Sequence, residues 1–183
     1  MKYRNLGKTG FDISEISLGT WQLGGKWGEK FSDKNAEKIL NEAIDKGINF
    51  IDTADVYGEG MSESAIGRVL KKRSEEIYVA TKCGRKLRPH TSEMYTREAL
   101  RRFVEDSLER LQLDTIDLIQ LHCPPTEVYE REDIFGFFDD LKVEGKIKNF
   151  GVSVEKVEEA LKAIEYHNVS TIQIIFNMFR HNA

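Results

Sequence analysis

Residues 48–82 read INFIDTADVYGEGMSESAIGRVLKKRSEEIYVATK, and their pattern of apolar residues predicts the fold class. Two apolar runs within it, residues 48–51 and 77–81, lack clean polar alternation, which is typical of strands that are covered on both faces. The segment between them, residues 62–72, is amphipathic with the spacing of a helix. A strand, a helix and a second strand in this order predict a parallel βαβ unit.

The same alternation extends along the whole chain. Further buried strands are predicted at residues 16–20, 118–121, 147–152 and 171–176. Further helices are predicted at residues 33–46, from Thr96 along the stripe Leu100, Val104, Leu108 and Leu111, and at 133–144 and 155–166. Residues 3–6 and 11–13, around a Gly-Lys-Thr-Gly turn, predict a β-hairpin before the first sheet strand. The pattern therefore predicts an α/β fold with a parallel sheet and outer helices, and it fits a barrel and an open doubly wound sheet equally well.

Helix boundaries are indicated by capping residues. Ser32 and Thr96 are expected to cap two helices through their hydroxyl groups, and Gly47 follows the end of the first. Gly145 and Ser153 stand at positions expected to end one helix and begin the next.

Composition excludes several classes of protein. The chain has 183 residues, 32% of them charged, with a net charge of −4. No apolar run approaches the roughly 20 residues needed to span a bilayer, and the first residues do not form a secretory signal. Spread Lys and Arg residues argue against nucleic acid as a partner. The same spread of charge argues against an anionic membrane as a partner. Cys83 and Cys123 are expected to be reduced thiols, so we expect a cytoplasmic protein.

Polar side chains follow three successive predicted strands. Asp52 and Tyr57 come after one strand, Lys82 after the next and His122 after the one that follows. Because parallel α/β folds build their active sites at the carboxyl ends of strands, these side chains are expected to meet at one rim.

The four residue types fit the reduction of a carbonyl group without a metal. A free phenol has a pKa of about 10, and a nearby ammonium such as Lys82 is expected to lower it. Asp52 would keep that ammonium charged and in place. Tyr57 could then protonate the carbonyl oxygen while a hydride reaches the carbon, and His122 could hydrogen-bond the same oxygen.

The segment DTADVYGEG at residues 52–60, followed by Ser62-Glu63 and Gly67, resembles the first signature of the aldo-keto reductases. The resemblance extends from residue 1 to the last residues, and it implies a (β/α)8 barrel of the TIM type, NADP(H) as cofactor and small aldehydes or ketones as substrates. Asp52, Tyr57, Lys82 and His122 match the catalytic tetrad of that family in chain order. By the same resemblance, the cofactor-binding residues are Gly19, Thr20, Trp21, Asp52, Ser153 and Gln173.

Two departures from the family pattern affect these expectations. Val154 stands where many members have an Asn that contacts the nicotinamide. The chain contains about six of the eight βα units, and by resemblance the phosphate-binding residues belong to the last two. Residues 1–183 are therefore expected to form a single barrel domain that is incomplete at its C-terminal side.

Several alternatives remain open at this level. The chain could be an inactive truncated barrel or a regulatory or binding subunit of the same fold, and its oligomeric state is not indicated. A metal-dependent hydrolase is set aside because the four histidines form no ligand pair. Asp52 could be a helix cap, and Asp55 is expected to serve local turn chemistry. Trp21, Trp27 and Phe31 either line a substrate pocket or pack over the barrel, and Cys83 and Cys123 could be linked or modified by oxidants.

Overall fold

The computed structural model describes residues 1–25 and 30–181. It begins with a two-stranded antiparallel hairpin, in which β1 (Tyr3–Asn5) pairs with β2 (Asp12–Ser14). The hairpin was expected at residues 3–6 and 11–13, and it is present with bounds shifted by one residue.

Within the described ranges, six further strands form one parallel sheet, and five helices follow strands on its outer side. The strands are β3 (Leu18–Gly19), β4 (Phe50–Asp52), β5 (Tyr78–Cys83), β6 (Ile116–His122), β7 (Ile147–Val154) and β8 (Val169–Ile174). The helices are α1 (Asp33–Asp45), α2 (Met61–Leu70), α3 (Arg97–Leu111), α4 (Glu132–Val143) and α5 (Val157–Ala163). Short 3-10 turns occupy Tyr57–Gly60, Ser92–Met94 and Thr126–Glu130.

The strand order distinguishes a barrel from a doubly wound sheet. The strands lie side by side in chain order, from β3 to β8, and each neighbouring pair is parallel. A doubly wound sheet reverses its order at a switch point, whereas a barrel adds each strand on the same side. The structure is accordingly a curled part of a (β/α)8 barrel.

Two apolar layers support the sheet. The larger lies between the sheet and the helices, where side chains such as Leu40, Ile66 and Phe138 are fully buried. The smaller closes the amino end of the barrel, where Phe11 of the hairpin stacks on Tyr78 with ring centroids 4.3 Å apart. The hairpin therefore forms the floor of the barrel and leaves the carboxyl ends of the strands open.

The predicted caps of two helices are confirmed. The Ser32 hydroxyl accepts a hydrogen bond from the backbone N–H of Asn35, and the Thr96 hydroxyl accepts one from Ala99. Gly47 and Gly145 both have a positive φ just after a helix, as a helix-ending glycine requires.

The predicted role of Ser153 as a helix start is wrong. Ser153 belongs to β7 and pairs with Gln173 of β8. The following helix, α5, begins only at Val157, and the Glu159 carboxylate caps it by accepting hydrogen bonds from the backbone N–H groups of Glu155 and Lys156. Among the described residues, no helix is both long and apolar enough to cross a bilayer.

Candidate active site

Lys82 and Asp52 form a close ion pair at the open end of the barrel. Lys82 Nζ donates to Asp52 Oδ1 at 2.6 Å and to the carbonyl oxygen of Thr53 at 2.8 Å. The Lys82 side chain is only 2% exposed, so its Nζ contacts this carboxylate and the Thr53 carbonyl oxygen rather than bulk water. The alternative reading of Asp52 as a helix cap is wrong, because its carboxylate is bound to the ammonium.

Tyr57 and His122 lie beside this pair. The ammonium of Lys82 is 5.3 Å from the centroid of the Tyr57 ring, and the Tyr57 and His122 rings meet edge to face with centroids 6.0 Å apart. The structure therefore brings together all four residues that were expected to meet at the rim.

Backbone hydrogen bonds place the turn that carries Tyr57. The N–H of Thr53 donates to the carbonyl oxygen of Ala80, and the N–H of Asp55 donates to that of Lys82. Directly after Tyr57, Gly58 and Glu59 both have left-handed backbone angles, with φ of 54° and 55°. This turn reverses the chain within a few residues, so that α2 can begin at once and Tyr57 stays over the barrel mouth.

Burial controls the ionisation of Tyr57 and His122. It raises the pKa of Tyr57 to about 12, and the Asp52 carboxylate adds to the rise. The expected lowering of this pKa by Lys82 is not found, because the ammonium is bound to Asp52. Burial, assisted by the charges of Lys82 and Arg85, lowers the pKa of His122 to about 3. At neutral pH both side chains are therefore uncharged.

Two residues expected to bind the cofactor, Gly19 and Thr20, connect β3 to neighbouring elements of the barrel. Thr20 is buried, and its hydroxyl donates to the carbonyl oxygen of Asp52 while it accepts from the Ser62 hydroxyl at 2.8 Å. Gly19 pairs with Asp52 in the register of β3 and β4. Trp21, in contrast, is largely exposed at the mouth.

The other two expected cofactor-binding residues share a row with His122. His122 pairs with Ser153, and Ser153 pairs with Gln173, on three neighbouring strands at their carboxyl ends. Gln173 is exposed, whereas the adjacent Val154 is 2% exposed and packs in the outer core. The departure at Val154 thus places an apolar side chain in the core.

Two cavities border this site. One, of about 280 Å³, lies inside the curled sheet and is lined by Asp52 and Gln173 among others. A smaller one, of about 140 Å³, is lined by Trp21 and Phe31 beside the turn at Gly58. Two of the three aromatic residues predicted near a pocket therefore border one, and Trp27 lies outside the described residues.

Asp55 differs from its predicted role in the local turn. Its side chain is fully buried, and within the described ranges neither carboxylate oxygen has a hydrogen-bond partner. One sign in the sequence that Asp55 could be functional is that it is an acidic residue between Asp52 and Tyr57. The role of Asp55 depends on its burial, which cannot be predicted from the neighbouring residues in the sequence.

The two cysteines are free thiols. Cys83 is fully buried, and burial raises the pKa of its thiol well above the usual value. Cys123 is partly buried with its Sγ 3.7 Å from the Ser153 hydroxyl, and burial raises its pKa as well. Neither thiol is activated as a thiolate, which disfavours the hypothesis of oxidative control.

Comparison with known proteins agrees with these observations. The profile of the Aldo/keto reductase family matches residues 15–183. An uncharacterized oxidoreductase, YqkF, and the aldo-keto reductase YhdN, both from Bacillus subtilis, are 36% and 34% identical to the chain and align with 98% of it in each case. The alignments cover 57% and 55% of those two proteins, so the chain spans little more than half of their length.

The fold is likewise shared with solved structures. The aldo-keto reductase AKR11C1 from Bacillus halodurans, in its holo form, superposes with a TM-score of 0.83 and 32% identity. The superposition covers 96% of this chain and 58% of that one.

Proposed function

The chain belongs to the aldo/keto reductase family, and from this premise we propose that it contributes the catalytic half of an NADPH-dependent reductase of aldehydes and ketones. The observation that carries the proposal is the buried Lys82–Asp52 pair beside Tyr57 and His122. We further propose that residues 1–183 form one barrel domain, completed by βα units equivalent to those in the rest of its longer relatives.

Tyr57 is the proposed general acid. Its raised pKa keeps the phenol protonated at neutral pH, which is the form that a proton donor needs. As the carbonyl oxygen gains negative charge, it becomes more basic than a phenolate, and the proton passes from Tyr57 Oη to that oxygen. The Lys82 ammonium, which Asp52 holds in place, lies beside the ring of the phenolate that remains.

His122 is the proposed second partner of the carbonyl oxygen. Its lowered pKa leaves a neutral imidazole, which can donate one hydrogen bond without competing with Tyr57 for the proton. Two donors that converge on one oxygen fix the direction of the carbonyl group. The reacting carbon is thereby presented to one face of the barrel mouth.

The residues at this mouth fit the nicotinamide half of NADPH. Ser153 and Gln173 offer a hydroxyl and an amide in the same row as His122, which suits the carboxamide of the nicotinamide ring. Trp21 offers an exposed ring at the edge of the mouth. When bound, NADPH supplies the hydride that reduces the carbonyl carbon.

The first test is a titration of the 183-residue chain with NADPH, read by the quenching of tryptophan fluorescence. Saturable binding in the micromolar range is expected if the nicotinamide site is assembled. Absence of binding would contradict a working site in this segment, and it would favour the alternative of a truncated or regulatory barrel.

The second test concerns the proposed acid. Tyr57→Phe is expected to lower carbonyl turnover about 10²- to 10⁴-fold while NADPH binding stays within about twofold. Tyr78→Phe is the matched control, because it removes a phenol hydroxyl at the opposite end of the barrel. Equal turnover in the two variants would exclude Tyr57 as the proton donor.

A further inference from the structure

A basic loop follows the strand that carries Lys82. Arg85, Lys86 and Arg88 occur within four residues, directly after β5 and at the barrel mouth. The chain as a whole has a net charge of −4, so this local excess of positive charge is not a reflection of composition. The three side chains make different contacts, and these contacts indicate a different role for each.

Arg88 and Lys86 interact with groups of the protein itself. Arg88 Nη1 donates to the carbonyl oxygens of Arg85 and Leu87, each at 2.8 Å, and thereby braces the loop. Lys86 is half-buried, and its charge acts on the buried carboxyl of Asp55. Arg85 is the residue of the three that reaches over the neighbouring strands.

The Arg85 guanidinium lies between the carboxyl ends of β6 and β7. Nη1 is 3.4 Å from the carbonyl oxygen of Cys123, which directly follows His122. Nη2 is 4.0 Å from Oε1 of Glu155, which is beyond hydrogen-bonding distance. A guanidinium has five N–H donors in a planar fork, so these two contacts leave capacity for a bidentate anion.

The backbone on both sides of the Arg85 guanidinium is closely packed or has an uncommon conformation. Gly84 has a φ of 95°, and a Cβ there would come within 2.7 Å of the Tyr95 ring. The Tyr95 hydroxyl in turn hydrogen-bonds His90 Nε2 at 2.8 Å. Cys123, whose carbonyl faces Arg85, has a φ of 46°, which is uncommon for a residue other than glycine. Such conformations cluster at functional sites.

We propose that Arg85 is a specificity-determining residue that selects aldehydes and ketones bearing a carboxylate close to the carbonyl group. The guanidinium contacts the carbonyl oxygen of Cys123, the residue after His122, and its charge acts on the His122 ring. A substrate held by Tyr57 and His122 would therefore bring a nearby carboxylate to it. That carboxylate would replace the long contact with Glu155 by a charge-assisted, bidentate one. This inference rests on the proposed reductase function.

The test compares two substrates that differ only in charge, 3-formylbenzoate and its methyl ester. For each, kcat/KM with NADPH is measured in the unchanged chain and in Arg85→Gln. We expect Arg85→Gln to lower the acid-to-ester ratio of kcat/KM about tenfold or more, with the ester value within about twofold of the unchanged chain. Arg102→Gln on the outer face of α3 makes the same charge change far from the mouth and is expected to leave the ratio unchanged.

Glu155→Gln gives a prediction of opposite sign. Removing the competing carboxylate is expected to raise the acid-to-ester ratio about twofold or more. A ratio that stays constant in both Arg85→Gln and Glu155→Gln, or that falls equally in Arg102→Gln, would overturn the proposal.

A binding measurement separates failure of this inference from failure of the reductase function. Calorimetric titration with 3-(hydroxymethyl)benzoate, which is not a reducible carbonyl, needs no turnover. Binding that Arg85→Gln weakens about tenfold or more supports the anion site even if no aldehyde is reduced. Binding that is equal in the two proteins, or undetectable in both, contradicts the site whatever the turnover.

Discussion

At the residue scale, Asp55 is a carboxyl group in a position that disfavours its charge. Burial raises its pKa to about 7, and the negative charge of Glu63 adds to the rise, whereas Lys86 and Arg110 oppose it. Glu63 is buried too, but it is bound to Thr81 at 2.5 Å and to Arg110 at 2.6 Å. Glu63 therefore has partners for both carboxylate oxygens, whereas the buried Asp55 carboxyl has none among the described residues and favours its protonated form.

We predict that Asp55 makes the native state less stable as the pH rises. In the unfolded chain its carboxyl has a pKa near 3.8, so between this pH and about 7 the folded protein holds a proton that the unfolded one has released. Stability is then highest below this window, falls through it and changes no further from this group well above pH 7. Urea unfolding at intervals from pH 5 to 8 measures this slope.

The variant Asp55→Asn cannot ionise at this position. We expect its urea midpoint to depend less on pH than that of the unchanged chain over the same range. Asp106→Asn, on an exposed position of α3, serves as the control and should keep the original slope. An unchanged slope in Asp55→Asn would contradict the assignment.

At the element scale, the contact between α2 and α3 explains why residue 67 is a glycine. Gly67 lies on α2, and a Cβ there would overlap the carbonyl of Leu111 and come within 2.8 Å of that of Arg110. The two helices thus approach through backbone at the end of α3. In this chain, Gly67 is required by the close packing of α2 against the backbone at the end of α3.

We predict that Gly67→Ala destabilises the protein by about 1–3 kcal/mol, because the helices must move apart to admit the methyl group. Gly136→Ala on α4 is the matched control, since a Cβ there has no heavy atom within 4 Å. That control should gain about 0.5–1 kcal/mol from the higher helix propensity of alanine. Chemical denaturation gives the free energy of unfolding of both variants. A similar loss of stability in both would argue against a specific contact between α2 and α3.

At the scale of the whole molecule, the curled sheet has two edges. Within residues 1–25 and 30–181, β3 and β8 each pair with a single neighbouring strand. At β8, the Lys8 N–H of the hairpin turn donates a hydrogen bond to the Ser170 carbonyl oxygen. The segment after β8 adds apolar side chains that are largely exposed, namely Ile175, Phe176, Met178 and Phe179. Unpaired edges beside apolar surface promote association between chains.

We predict that the 183-residue chain self-associates in a concentration-dependent manner. Replacing both Phe176 and Phe179 by Glu should shift the population toward monomer, because it adds charge beside the β8 edge. Val143→Glu, on an exposed apolar position at the end of α4, is the control and should leave association unchanged. Sedimentation velocity at several concentrations measures the effect, and a chain that is monomeric throughout would contradict the prediction.

Much of the fold could be predicted from local pattern. Apolar runs marked all six sheet strands to within a few residues, and the Ser32 and Thr96 hydroxyls marked two helix starts. These features depend on residues that are neighbours in the chain. The start of α5 could not be placed in this way, because its cap is the Glu159 carboxylate within the helix rather than the serine before it.

Local sequence patterns predicted the parallel βα architecture and the meeting of Asp52, Tyr57, Lys82 and His122 at one rim. Tertiary structure alone decided that the sheet curls, that burial raises rather than lowers the pKa of Tyr57, and that Asp55 is buried without a hydrogen bond. The physical reason is that periodicity is carried by adjacent residues, whereas desolvation and charge depend on groups that are far apart in the chain and meet only after folding.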